Sequence, residues 1–455
     1  MYFKQFYNDH LSQASYLIGC QRTGEAMIID PIRDLTQYVE VAEKEGFTIT
    51  QAAETHIHAD YASGIREVAQ RLGATIYVSK EGEESLGYRN MPKQTQFVGH
   101  KDKIKVGNIE LEVLHTPGHT PESISLLLTD IGGGASIPMG LFSGDFLFVG
   151  DIGRPDLLEK AVQVAGSTEK GAKQMYESVQ MIKNYPDYIQ IWPGHGAGSP
   201  CGKALGAIPM STLGYEKINN WAFQIEDEAA FIESLTTDQP APPKHFAKMK
   251  QINQFGMEDY QPYQVYMSQD DETLAFDLRS KEAYHGGHQF GTINIPYDKN
   301  FINQIGWYLN YNEDIQLIGD KPTVDAAVHT LQLIGYDRVK SYKNPSFEVK
   351  TKSIHSYEVT GEEEHVLDVR NDKEWAAGHL SQAQHLAHGQ LLETTVPFAK
   401  DAPLYVHCQS GVRSSIAVGI LEKQGFKNII NVREGYQAIP DKAKRYKVQL
   451  KHTLI

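Results

Sequence analysis

At 455 residues, with 41% hydrophobic and 22% charged residues, the chain is long enough for two or three domains with ordinary cores. Its net charge of -14 argues against a general nucleic-acid binder, whose footprint is basic, and leaves small anionic substrates open. No apolar run is long enough to span a bilayer, the start MYFKQFYNDHLSQ lacks a secretory pattern, and the three cysteines are widely spaced, so a cytoplasmic protein without membrane contact or disulfide framework is expected.

Along the first half, strand-like runs (AMIIDP, TIYVS, ISLLLT) alternate with helix-like stretches (DLTQYVEVAEKEG, SGIREVAQRLG), which predicts a layered α/β domain. A single helix is predicted over roughly YEKINNWAFQIEDEAAFIESL, and the Pro-rich TTDQPAPPKH after it marks a boundary near residues 236–245. Beyond that point the chain repeats itself. LAFDLRSKEAYHGGH aligns with VLDVRNDKEWAAGH, pairing Asp277 with Asp368, Arg279 with Arg370 and Tyr284 with Trp375. Copies of this size are two similar domains rather than solenoid units, so the chain reads as domains 1–240, 241–350 and 351–455.

Four pieces of the first domain carry metal-ligand chemistry: AETHIHADYASG, LHTPGHTPES, LFSGDFLFVGDIGRPD and IQIWPGHGAGSPCG. Each puts a histidine or carboxylate just after an apolar run, where a loop leaves a sheet. Such nitrogen and oxygen ligands suit zinc, iron or manganese.

In this order the pieces resemble the metallo-β-lactamase superfamily, over about residues 1–235, which implies a four-layered αβ/βα sandwich. In two-metal members such as glyoxalase II hydrolases the first motif ends in histidine. The resemblance would then give one metal His56, His58 and His119, and a second metal Asp60, residue 61 and His195, with Asp145 shared. Here residue 61 is Tyr61, a neutral phenol and a poor ligand near pH 7, so the second site should bind weakly or not at all. Two histidines and one carboxylate remain, the ligand set of non-haem Fe(II) oxygenases. The persulfide dioxygenases, related to the ethylmalonic encephalopathy protein, form a branch of the superfamily with that set. This resemblance implies one mononuclear Fe(II) on His56, His119 and Asp145, with His58, Asp60, Tyr61 and His195 behind the ligands, orienting them and water. The human-type dioxygenase keeps histidine at the position of Tyr61. The stretch GRPD recurs in the branch, and Arg154 within it is a candidate to hold an anionic thiol substrate.

In the last domain, PLYVHCQSGVRSSIAVGILEKQG runs a strand into Cys408, then a short loop, then a helix starting near Ser414. Backbone N–H groups and a helix N-terminus aimed at the sulfur favour a thiolate, and Arg413 adds positive charge at the rim. The spacing is C-x4-R, tighter than the C-x5-R of cysteine phosphatases. It resembles the rhodanese sulfurtransferases over about residues 355–450, implying that Cys408 carries a sulfane sulfur within a loop of Gln409, Ser410, Gly411 and Val412. The middle copy keeps the rhodanese front end but loses the loop: alignment places Ile318 opposite Cys408 and Thr323 opposite Arg413. It reads as a pseudo-rhodanese with a packing, spacer or dimerisation role. Cys201, shortly after His195, is expected to return toward the metal face and is a candidate to relay a persulfide or gate the site. Cys20 reads as a core residue.

Taken together, the order of domains resembles the bifunctional persulfide dioxygenase–sulfurtransferases of bacterial sulfide-detoxification operons. That family implies thiol persulfides of coenzyme A or bacillithiol type and O2 as substrates, sulfite and thiosulfate as products, and a self-associating enzyme is expected. The rival reading is a zinc-dependent glyoxalase II-like thioester hydrolase fused to a sulfurtransferase.

Overall fold

The computed structural model describes residues 1–203, 205–269 and 273–444; the last part of the expected 351–455 domain, from residue 445, lies outside the described residues. The chain divides into two units, Met1–Pro262 with Thr330–Gly335, and Tyr263–His329 with the residues from Tyr336 onward.

The first unit is built on two six-stranded sheets. In chain order the strands of the first are Tyr2–Asn8, Gln13–Gly19, Glu25–Ile29, Thr48–Ala53, Thr75–Ser79 and Thr95–Val98. Those of the second are Lys103–Val106, Ile109–His115, Ile124–Asp130, Gly140–Gly144, Gln190–Pro193 and Ser211–Thr212. The alternation in Ile109–His115 explains the layering: Ile109, Leu111 and Val113 are buried, while Glu110 and Glu112 stay partly exposed. The inward faces meet in one core, with Tyr16, Ile18, Met27 and Ile29 from one sheet and Leu111, Val113, Leu126, Phe142 and Trp192 from the other. Helices Thr36–Glu45 and Ile65–Leu72 pack on the first sheet. Met175, Val179 and Ile182 of helix Ser167–Ile182 form a second core with Leu141 and Ile191 of the other sheet. These layers are the αβ/βα sandwich expected from the sequence.

Two boundaries differ from expectation. The helix predicted over 215–235 is broken into Leu213–Asn219, Trp221–Gln224 and Glu228–Thr236. Asn220 and Asp227 cap the second and third pieces, accepting from the N–H of Ala222 at 3.1 Å and of Ala230 at 2.8 Å, and so compete with a continuous helix. The boundary at 240/241 also moves, because helix His245–Phe255 belongs with the first unit. Its polar side chains are tied to that unit's loops, as described below.

The second unit holds two five-stranded parallel sheets of matching order. One runs Tyr266–Met267, Val339–Lys343, Ile315–Ile318, Leu274–Asp277, Ile293–Asn294; the other runs Lys352–Ile354, Ile429–Val432, Leu404–His407, Val366–Asp368, Ala383–His385. The strand registers correct the sequence alignment of the two copies by one residue. Asp277 pairs with Ile318 as Asp368 pairs with His407, so Gly319, not Ile318, stands opposite Cys408. The ungapped alignment missed this because the middle copy's loop is shorter. Only Gly319 and Asp320 separate strand Ile315–Ile318 from helix Lys321–Leu333, where four residues separate Leu404–His407 from helix Val412–Lys423.

Candidate metal and sulfur sites

The metal-ligand candidates lie where strands of both sheets end: His56 follows Thr48–Ala53, His119 follows Ile109–His115, Asp145 follows Gly140–Gly144 and His195 follows Gln190–Pro193. One ligand atom each from His56, His119 and Asp145 lies within 4.8 Å of the others, and all three residues are buried. His56 Nε2 is 3.8 Å and His119 Nε2 is 3.6 Å from Asp145 Oδ2.

Their hydrogen bonds decide which atoms are free. Thr55 donates its hydroxyl to Asp30 Oδ2 at 2.9 Å, so it accepts from His56 Nδ1 at 3.0 Å. His119 Nδ1 donates to the Arg154 carbonyl at 2.9 Å. In both neutral rings the lone pair is therefore on Nε2. Burial and the charge of His58 hold the His56 pKa well below 6.5, and burial lowers that of His119 against the pull of Asp145. His56 Nε2 and Asp145 Oδ2 have no hydrogen-bond partner. Two imidazole lone pairs and one carboxylate oxygen thus converge, a fit for a divalent cation with coordination positions left open.

The remaining residues of the motif each hold a partner, although His58 Nδ1 and Asp60 Oδ1 are buried without one. His58 Nε2 meets Asp30 Oδ1 at 3.3 Å. Tyr61, fully buried, turns its hydroxyl to Gln13 Nε2 at 3.3 Å and the Asp30 carbonyl at 3.4 Å. His195 stands between two carboxylates, Nδ1 2.7 Å from Asp145 Oδ1 and Nε2 2.6 Å from Asp60 Oδ2. Burial alone would lower its pKa, but Asp145 and Asp60 outweigh burial and hold it well above 6.5.

In the second unit, the Gly411 N–H donates to Cys408 Sγ at 3.1 Å, and the thiol lies 3.8 Å from the Ser414 hydroxyl. The helix begins at Val412, two residues before the expected start. Gly411 has φ +89°, and a Cβ there would come within 1.8 Å of the Arg433 carbonyl, so this turn of the loop admits only glycine. Arg413 is not a free rim charge: its guanidinium makes a two-bonded pair with Glu374 at 2.6 and 2.7 Å. Gln409 Oε1 accepts from Arg370 Nη1 at 3.3 Å. Ser410 is exposed, and with Gly411 it lines a cavity of about 560 Å³ that also takes Lys281 and His285 from the middle copy.

Residues 8–195 match the metallo-β-lactamase superfamily, and residues 354–442 match the rhodanese-like domain. A crystal structure of metallo-β-lactamase from Staphylococcus aureus subsp. aureus COL is 69% identical, covers 76% of this chain and 99% of that chain, and superposes with a TM-score of 0.73. The chain belongs to the metallo-β-lactamase superfamily. Among curated relatives, hydroxyacylglutathione hydrolase of Nitrosococcus oceani is 32% identical over 186 residues, 40% of this chain and 61% of that protein; the chain thus spans less than two thirds of that relative's length. The crystal structure of ETHE1 from Myxococcus xanthus is 27% identical and covers 56% of this chain and 100% of that chain, with a TM-score of 0.47.

The metallo-β-lactamase fold binds metal, and in this domain His56, His119 and Asp145 form the candidate centre. Arg154, a candidate to hold substrate, is engaged within the protein. It is fully buried, pairs with Asp156 at 2.6 and 2.7 Å and donates to the carbonyls of Pro200 and Pro240 at 3.1 and 2.6 Å. A guanidinium so satisfied is a brace, and its own carbonyl orients His119. Beside it, a Cβ on Gly153 would stand 1.9 Å from the Asp145 carbonyl, which accounts for the glycine of GRPD. Cys201 does return to the metal face: its Sγ groups with ligand atoms of Asp60 and His195. Burial and the charges of Asp60 and Asp145 raise its pKa well above the ordinary thiol value, which works against the thiolate that a relay needs. Cys20 is buried in the metallo-β-lactamase core, as expected.

Sequence reasoning missed the supports of this domain. Asp30 ends the run AMIID and holds Thr55 through both its backbone N–H, at 2.7 Å, and its hydroxyl. Lys250 Nζ donates to the Ile57 carbonyl at 2.8 Å and to Glu122 at 3.2 Å, while Glu122 accepts from the Ile57 N–H at 2.9 Å. Asn253 Nδ2 donates to the carbonyls of His58 and Tyr61 at 2.9 and 2.7 Å, and its Oδ1 accepts from the Ser63 N–H at 2.9 Å. Asp30 carried a faint signal, an acid closing an apolar run, and Glu122 sat inside a motif already singled out. Lys250 and Asn253 carried none.

Proposed function

We propose that the first unit is a mononuclear Fe(II) persulfide dioxygenase, and that Cys408 passes sulfane sulfur to the sulfite it makes, yielding thiosulfate. The observation that carries this reading is the convergence of the unpaired His56 Nε2 and Asp145 Oδ2 with His119 Nε2, while Tyr61 and His195 are bonded elsewhere. Iron held by His56, His119 and Asp145 would supply activation of O2 toward a persulfide sulfur. The chain's own residues do the rest. Thr55 and the Arg154 carbonyl fix the two imidazole tautomers, and His195 holds Asp145 so that only Oδ2 faces the centre.

The first reaction is RSSH + O2 + H2O → RSH + SO3²⁻ + 2H⁺, with thiol persulfides of coenzyme A or bacillithiol type as RSSH. In the second, Cys408–S–SH + SO3²⁻ → Cys408–S⁻ + S2O3²⁻ + H⁺: the persulfide S–S bond breaks, its electron pair stays on Cys408, and a new S–S bond forms to sulfite. Tethering both sites on one chain raises the effective concentration of the shared intermediate. The setting would be sulfide detoxification in the cytoplasm by a self-associating enzyme. Among the described residues no helix is long and apolar enough to cross a membrane.

A second reading, a zinc-dependent thioester hydrolase fused to a sulfurtransferase, draws on the relatives' name and on the Asp60, His195 and Cys201 group. Anaerobic purification, metal analysis and oxygen uptake with a coenzyme A persulfide separate the two. Stoichiometric iron with oxygen-dependent sulfite formation is expected; tightly held zinc with thioester hydrolysis and no oxygen use would refute the dioxygenase.

A further inference from the structure

The middle copy reaches into the neighbourhood of Cys408. After its helix Phe301–Ile305 come Trp307 and Tyr308. Tyr308, buried, places its hydroxyl 2.7 Å from His388 Nδ1. Trp307 meets the His388 ring edge-on at 5.1 Å, and a Cβ on Gly389 would lie 2.5 Å from the Trp307 ring. The approach is therefore close along the whole turn. That turn, His388–Gln390, packs on helix Val412–Lys423. It is pinned by His388 N–H to the Val369 carbonyl at 3.1 Å, and the Val369 N–H is bonded to the His407 carbonyl at 2.9 Å. His388 thus sits at the sheet end from which the Cys408 loop departs. Tyr308 feels the charges of Arg413 and Cys408, and His388 those of Arg413 and Glu374.

Proton placement follows from chemistry. A phenol is a strong donor, and burial raises the Tyr308 pKa, so its O–H donates to His388 Nδ1. Burial, then Arg413, pulls His388 down to about 4, so the ring is neutral at working pH. With Nδ1 accepting, the single ring proton is on Nε2. Two arginines by the loop are paired within the protein, Arg413 with Glu374 and Arg370 with Asp368 and the Gly378 carbonyl. The Nε2–H of His388 is a neutral donor that none of these pairs consumes.

We propose that Tyr308 and His388 form an oxyanion-binding pair at the Cys408 site, in which the copy without a nucleophile supplies the positioning residue that fixes His388 Nε2–H toward sulfite or thiosulfate. The proposal rests on the sulfurtransferase reading above and gives the middle copy a part in recognising that reaction's inorganic partner.

The test is steady-state sulfur transfer to cyanide by the full chain, from thiosulfate and, separately, from glutathione persulfide, which carries no sulfur oxyanion. Tyr308→Phe is expected to raise the KM for thiosulfate about tenfold, the scale of one hydrogen bond to an anion. Its kcat, and its KM for the persulfide, should stay within about twofold. His388→Gln keeps an N–H donor that needs no phenol, so in that background Tyr308→Phe should add nothing. Equal losses with both donors, an unchanged thiosulfate KM, or additive effects in the double variant would overturn the pair. If the unmodified chain transfers from neither donor through Cys408, the sulfurtransferase reading itself falls, and this inference with it.

Discussion

The two copies in the second unit share strand order and part where the strand before the Cys408 loop ends. In each, the aspartate ending one strand holds the arginine two residues on, and that arginine reaches a glycine carbonyl: Arg279 to Gly287 at 3.0 Å and Arg370 to Gly378 at 2.7 Å. The D-x-R pair is therefore a brace of the fold, present with or without chemistry. What differs is the next strand's exit. Four residues and a glycine turn bring an N–H to the Cys408 sulfur. In the middle copy two residues suffice to enter the helix, and Asp320 accepts from the Thr323 N–H and hydroxyl, each at 3.0 Å. A carboxylate occupies the helix end that in the other copy serves a sulfur. Loop length, not the surrounding motif, separates the copy that carries Cys408 from its double. The middle copy covers the other's helix Val412–Lys423: Glu422 bonds His288 at 3.1 Å and the Gly291 N–H at 3.0 Å, and Ser415 bonds His285 at 2.9 Å.

The sharpest way to break this comparison is Cys408→Ser, expected to lower thiosulfate:cyanide sulfur transfer by about a thousandfold or more with metal content unchanged; residual transfer would mean that another thiol serves. Next comes acid. His285 and His388, at the contact of the copies, are each pulled to about 4, first by burial. Their folded pKa lies below the unfolded 6.5, so the unfolded chain binds more protons in that window. Their contribution is complete above pH 6.5 and lost as pH falls toward 4, roughly 3 kcal/mol for each ring. Hydrogen exchange across 301–308 and 385–391 should therefore accelerate between pH 6.5 and 4.5 more than intrinsic chemistry allows. Glu374→Gln should slow Cys408 transfer about tenfold, because Arg413 loses its two-bonded partner; the middle copy has alanine, Ala283, at the matching place. Smallest, Asp320→Ala should lower the melting temperature by about 2 °C through loss of a helix cap, without touching either activity.

Much of this was legible in the sequence, for identifiable reasons. His56, His119 and Asp145 each follow an apolar strand, so their place at strand ends was legible in the residues, while their grouping as one ligand set came from the family resemblance. The same logic brought Cys201 to the metal face, yet its charge state depended on Asp60 and Asp145 closing around it. Arg154 could be read either way because a buried brace and an anion clamp look identical one residue at a time; the carbonyls of Pro200 and Pro240, distant in sequence, favour the brace. The shortened middle loop escaped an ungapped alignment because a helix turn absorbs a missing residue. Asn220 and Asp227 divided a helix whose apolar pattern alone runs on.

Helix His245–Phe255 changes how the chain should be cut. Lys250 and Asn253 hold the backbone of residues 57–63 from outside the span that matches the superfamily. A truncation ending at 240 keeps every metal-ligand candidate and loses the clamps that hold the loop behind His56. In this protein the folded unit and the matched family span are different objects, and the loop that follows His56 is clamped by a helix outside both matched spans.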